Sequence, residues 1–288
     1  MKFRVTCRSI KESVNVKLFS EVDCDALFAA LLIDDKINLD DRLPDSIPLD
    51  YTQEQLSQCY LISQQLWHEG ISRKALCEIT DKICKQGKLN EQDQYTYYCM
   101  RAKIKHLRFA YVMFDERHRY PRVFHWMTAA MGHLQDVLKN PQQSSVWFEA
   151  FLVRLFLSKP IYRIAVKEIS GFKPSTAESF RQYILNEINT IRLYLDQDKV
   201  TSHEFHAMRI VISRQVSFYD NLKTLYPSDY HQTISKLFST LNGLMGNFHD
   251  ELIVRKFNKT QDYYKDTFIM PEEIRLRLKA LTEKYHFS

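Results

Sequence analysis

The sequence predicts an all-α protein, on three observations. Glycine and proline are scarce, at 6 and 8 of 288 residues, too few for a turn-rich β fold. Long stretches rich in Leu, Lys, Glu, Gln and Arg run with few breaks, as helices require. Proline recurs where those stretches stop: Pro121, Pro141, Pro174, Pro227 and Pro271 each lack the N–H that a helix interior needs.

Taken in order, residues 3–8 read as a short extended lead-in. A helix is expected over 10–33, with Leu18, Val22, Leu27 and Leu31 facing inward. The acidic stretch 34–50, with two prolines, reads as an exposed loop. Further helices are expected over 52–69, 72–86, 93–116, 122–139, 144–170 (interrupted near Pro160), 175–197, 202–225, 228–245, 247–258 and 271–286. Strands have almost no claim.

Composition narrows the function classes. The longest apolar run, Ala26 to Ile33, is far short of the roughly 20 residues of a membrane span, and the first residues lack a signal peptide's apolar core. The six cysteines (Cys7, Cys24, Cys59, Cys77, Cys84, Cys99) form no CxxC pair. They read as free thiols in a reducing compartment rather than zinc ligands or disulfides. A cytoplasmic location without membrane contact is expected. Charge is uneven: residues 1–100 carry 12 Lys and Arg against 16 Asp and Glu, and residues 101–288 carry 28 against 19. A basic later part points to an anionic partner.

A diverged internal repeat carries the most information. Tyr98-Cys99-Met100-Arg101 and His206-Ala207-Met208-Arg209 each open a long helix. Tyr-Pro turns follow, at Tyr120-Pro121 and Tyr226-Pro227. The next helix in each copy is expected to end at Met-Gly, and three residues later comes Asp: Met131-Gly132 to Asp136 and Met245-Gly246 to Asp250. The glycines are expected to permit close packing or a turn, and the aspartates to cap the following helix.

On the first repeat helix, Tyr98, Arg101, Lys105 and Arg108 fall within roughly 80° of arc. They form a row of cations with the reach to contact successive phosphates. The second copy keeps His206 and Arg209 but has Ser213 and Val216 where the row would continue, with Arg214 displaced around the helix. Arg154, Lys159, Arg163 and Lys167 are secondary candidates, as are Arg117, His118, Arg119 and Arg122 at the first Tyr-Pro turn.

His-x-x-Arg opening a helix, a Tyr-Pro turn, then Gly-x-x-x-Asp resembles the CHAD domain, the conserved histidine α-helical domain. His206, Arg209, Leu225-Tyr226-Pro227 and Gly246 to Asp250 carry the clearer match; Arg101, Lys105, Leu107-Arg108, Phe114, Gly132 and Asp136 carry the fainter one. Tyr98 stands where the family's first histidine is expected. The resemblance implies two pseudo-symmetric four-helix bundles from an internal duplication, one spanning 1–170 with an insertion at 34–90, the other 171–288. It also implies binding of inorganic polyphosphate, or its granules, in a basic cleft between the bundles, without catalysis, metal or cofactor.

Two alternatives stand beside it. His249-Asp250 is the adjacent pair of an HD-type metal-dependent phosphohydrolase, with His206 or His231 and Asp262 or Asp266 to complete it; the repeat partner of that pair is Gln135-Asp136, which makes it a fold element. A helical nucleic-acid binder would use the same basic face, although no recognition helix or RNA-stacking motif is present, and a protein-interaction scaffold would use the extra region 34–90. Weak nucleic-acid binding by the cleft is expected. Glu116 and Glu204 lack the His three residues on that di-iron helices need.

Overall fold

A computed structural model describes residues 18–139 and 146–285. The expected lead-in at 3–8, the start of the first helix at 10–17, Cys7 and Pro141 lie outside the described residues. Eleven α-helices are present among them: α1 Glu21–Leu31, α2 Gln53–Gly70, α3 Arg73–Gln86, α4 Glu91–Phe114, α5 Arg122–Lys139, α6 Val146–Phe156, α7 Lys159–Ser170, α8 Ala177–Leu195, α9 Ser202–Leu225, α10 Asp229–Phe257 and α11 Glu272–Glu283. The only ladder among the described residues pairs Val200–Thr201 with Thr267–Phe268, antiparallel.

Local chemistry sets the helix starts. Ser20, Thr52 and Thr201 form capping boxes with Asp23, Gln55 and Glu204, and Ser72, Asn90, Thr176 and Ser228 cap α3, α4, α8 and α10 through their side chains. Each satisfies backbone donors that the first turn leaves open. α5 follows Pro121 and takes its cap from far along the chain. The Glu168 carboxylate on α7 accepts from the Val123 and Phe124 amides at 2.9 and 3.2 Å.

Three expectations need correction. Leu18 and Val22 are 61% and 76% exposed; α1 begins only at Glu21, so its apolar stripe is Cys24, Leu27, Ala30 and Leu31. The stretch 144–170 is divided at the expected interruption near Pro160, which cannot donate within a continuous ladder and sits in the first turn of α7. Conversely α10 runs 29 residues straight through Gly246. A lone helical glycine costs only about 1 kcal/mol, and packing on both sides overrides it. Asp136 and Asp250 therefore lie inside α5 and α10 rather than at the start of a following helix.

One continuous core links the first and last thirds of the chain, from Ile47 to Tyr285. α2 and α3 bury Leu56, Cys59, Tyr60, Leu76, Ile79 and Ile83 within it, so residues 53–86 build the core rather than decorate it. α9 is central and packs against α1, α2, α4, α8 and α10; α4 packs against α2, α5, α8 and α9. A small second cluster joins α1 to Ile62 and Leu66 of α2. Among the described residues no helix is long and apolar enough to cross a membrane.

The acidic loop between α1 and α2 is tied down across α10. Ser239 Oγ donates to the Ile33 carbonyl at 3.0 Å, Asn242 Nδ2 to that of Asp34 at 2.8 Å, and the Asn38 amide donates to Thr240 Oγ1 at 2.9 Å. Gly243 makes the fit possible, because a Cβ there would stand 2.2 Å from the Asp35 carbonyl oxygen.

Candidate functional site

α4 and α9 lie side by side and turn cations toward a common region. Arg101 lies over Gly132 of α5: a Cβ on that glycine would come within 2.9 Å of Arg101 Nη2. Arg209 lies over Gly246 of α10 in the same way, at 3.2 Å. The missing side chains leave room for two guanidinium groups, which is why Met-Gly recurs in mid-helix.

The other cations gather around these two. Arg108 lies over the rings of Phe109 and Tyr120, at 5.0 and 5.2 Å. Lys105 is about a quarter exposed and pairs with Asp34 at 3.3 Å. Burial lowers its pKa, and Arg101 and Arg209 push the same way against the pull of Asp34. Burial likewise lowers the pKa of Arg108, with Arg101 and Arg214 adding to it. Charges from both helices therefore act on one another. The Nε atoms of Arg101, Arg108 and Arg209 are all buried without an acceptor among the described residues.

Histidines complete the wall. His206 stacks on His249 with ring centroids 4.5 Å apart. His249 Nδ1 lies 3.4 Å from Arg209 Nη1, and its Nε2 lies 3.1 Å from the Tyr263 hydroxyl. Burial holds His206 at a pKa of about 4, helped by Arg209, His203 and Arg108; burial with His206, Arg209 and Lys256 holds His249 at about 3. Both rings are neutral near pH 7. His206 Nδ1 is buried and unpartnered.

Arg214 sits next to the cluster but is committed within it. Its Nη1 donates to the Tyr183 hydroxyl at 2.6 Å and to Glu187, and its Nε donates to the Tyr120 hydroxyl at 3.0 Å. Arg154 is elsewhere, bonded through Nε to Asp81 at 2.7 Å. Arg163, Lys159 and Lys167 are exposed on α7. Arg117 is taken by the buried Asp115, and His118 stacks on Tyr183. A small pocket of about 210 Å³ beside Tyr120 includes Arg117, Arg119, Arg122 and Glu168. The structure thus brings together Arg101, Lys105, Arg108, His206 and Arg209, with Arg214 at the edge, and leaves Arg154 and Arg163 apart.

Sequence reasoning missed Asp34, Tyr120, Glu187 and His125. His125 stacks on Tyr120 at 4.7 Å and is held at a pKa of about 4 by burial, with Arg108 and Arg214 adding to it. A signal existed for it: Tyr-Pro is followed by His four residues later in both copies, at His125 and His231.

The phosphohydrolase pair does not gather ligands. Asp250 approaches His249 Nδ1 only to 4.0 Å, while His231 bonds the Tyr226 carbonyl and Asp262 caps the turn before Asp266. Among the described residues no group of three or more His, Cys, Asp or Glu is placed to hold a metal.

Beneath the site, α2, α4 and α9 are joined by a buried polar knot. Asn221 Oδ1 can only accept, so His106 Nε2, 3.0 Å away, carries the proton; His106 Nδ1 then accepts from the Ser217 hydroxyl at 2.7 Å. Ser63 on α2 lies 3.0 Å from the same Nε2. Burial depresses the His106 pKa to about 4. An unfolded His takes up a proton near 6.5, so the unfolded chain binds more protons between pH 6.5 and 4, and stability falls as pH is lowered across that window. For His106 alone the loss is about 3 kcal/mol once pH reaches 4, and His125 and His206 act with the same sign. Urea midpoints measured from pH 7 to 4 should fall steadily; a flat profile would show that these rings are not held neutral.

No family model matches the chain, and no curated protein or solved structure matches it significantly.

Proposed function

We propose that this protein binds inorganic polyphosphate, without catalysis, in the basic cleft between α4 and α9. One observation carries the reading. Three guanidinium groups from two helices converge with buried, unpartnered Nε atoms. Burying charge without full pairing costs several kcal/mol, and a multivalent anion with closely spaced oxygens offsets that cost at several groups together. A row of cations on one helix suits a linear chain better than a compact phosphate.

We further propose that the cleft lies between duplicated halves. Arg101 over Gly132 and Arg209 over Gly246 are matched contacts, in matched helix pairs α4–α5 and α9–α10. The packing of α2 on α4 and α9 is mirrored by that of α8 on α9 and α4, and the charge of Asp250 reaches Asp136, its repeat counterpart. These features support the resemblance to the CHAD domain, whose ligand is of this kind.

The test is binding of labelled long-chain polyphosphate across a salt series. Four to five neutralised phosphates should give a slope of log K against log salt of about −3, with polyphosphate displacing RNA from the protein. Absence of binding at low salt would sink the reading. Asp34 makes a sharper prediction. Its carboxylate shares Lys105 with any incoming anion, so Asp34→Asn should raise polyphosphate affinity about fivefold, the worth of a partly exposed pair of about 1 kcal/mol. Unchanged or weaker binding would place Lys105 outside the path.

A further inference from the structure

α6 carries its bulk on the outside. Ala150 and Val153 face the core, while Trp147, Phe148, Phe151 and Leu155 are 45% to 62% exposed. At 100° per residue these four fall within roughly 100° of arc. On α7 the exposed side is cationic: Lys159, Arg163 and Lys167 fall within roughly 80°, with the exposed Ile164 beside them. α6 and α7 are joined through Leu157-Ser158, touch each other and both pack on α5. Their outward sides therefore form one surface, aromatic on one half and basic on the other.

The carboxylates of these helices lie off that surface. Glu149 and Glu168 sit on the far sides of their helices, and Glu168 is taken up in capping α5. At the edge of the aromatic half, Arg154 lies about 20° from Trp147 and is neutralised by Asp81 of α3 at 2.7 Å, so the unpaired cations are those of α7. Nothing on it would meet the cations of a second copy of the chain. A single-stranded nucleic acid calls for aromatic rings interleaved with cations along one groove, whereas here the two are segregated and aliphatic Leu155 and Ile164 belong to the set. That segregation matches a lipid–water interface, where rings and aliphatic groups enter the headgroup boundary and cations meet lipid phosphates. We propose that the outer surface of α6 and α7 docks peripherally on an anionic lipid bilayer, at a place separate from the cationic cleft.

The experiment is co-sedimentation with phosphatidylglycerol–phosphatidylcholine vesicles, together with tryptophan emission. The intact chain should bind these vesicles with a blue shift and ignore pure phosphatidylcholine. Lys159→Glu/Arg163→Glu/Lys167→Glu should weaken binding by about a hundredfold or more, at about 1 kcal/mol per surface cation. Phe148→Ser/Phe151→Ser should abolish the blue shift and binding while leaving the unfolding midpoint nearly in place, since both side chains are 62% exposed, and Trp147, which rests on Gly87, is kept as the reporter. Arg101→Ala/Arg209→Ala, which empties the cleft, should bind vesicles normally. The proposal is overturned if anionic vesicles are not bound, or if the aromatic variant binds them undiminished. It is equally overturned if the aromatic variant instead dissolves a dimer seen in sedimentation velocity, or loses binding to oligo-RNA while keeping binding to vesicles.

Discussion

Arg101→Ala/Arg209→Ala should lose at least about a hundredfold in polyphosphate affinity while remaining folded. Each guanidinium offers charge-assisted hydrogen bonds of about 1.5–3 kcal/mol to phosphate oxygens, and together they supply one contact from each side of the cleft. The effect on stability separates this reading from a structural one. Both Nε atoms are buried and unsatisfied, so deleting the groups removes a desolvation cost along with their packing. The unfolding free energy from urea titration should change by less than about 1 kcal/mol. A large loss of stability with intact binding would make the two arginines packing elements and remove the basis for the cleft.

The second large effect is expected at Gly243. In Gly243→Ala the new Cβ would collide with the Asp35 carbonyl oxygen at 2.2 Å and with Ile37 Cγ1 at 2.7 Å. Backbone cannot yield there cheaply, because the carbonyls of Ile33 and Asp34 and the amide of Asn38 are all bonded to α10. Detaching the loop should cost about 2–4 kcal/mol, read as a fall in thermal midpoint. The same detachment carries Asp34 away from Lys105, so the surviving folded molecules should bind polyphosphate more tightly, as is expected of Asp34→Asn. A variant with wild-type stability would mean that the loop does not lie across α10.

Much of the helical architecture was legible because local chemistry and hydrophobic period agree. The expected 122–139 and 202–225 coincide with α5 and α9, bounded by Pro121 and by the Thr201–Glu204 capping box. The break near Pro160 was legible for the same reason, whereas boundaries failed where tertiary packing decides, as at Gly246. The cation row on α4 was legible because its spacing is local to one helix. The fate of each cation was not, since acceptors come from remote segments: Asp81 reaches Arg154 from α3, Glu187 reaches Arg214 from α8, and Asp34 reaches Lys105 from a loop read only as exposed. Identical residue types at similar spacings became ion pairs or open donors according to partners that no sequence window contains.

The glycines beneath Arg101 and Arg209 also bear on how the protein could be engineered. Gly→Ala inside a helix ordinarily raises stability by about 1 kcal/mol, so positions 132 and 246 are where a search for heat-resistant variants would be drawn. The added Cβ would stand 2.9 Å from Arg101 Nη2 at position 132 and 3.2 Å from Arg209 Nη2 at position 246, so each guanidinium must shift to admit it. If the proposed anion binding holds, selection on thermal resistance alone would favour molecules that melt later with their guanidinium groups displaced, and only a screen that also reads polyphosphate binding would keep both glycines.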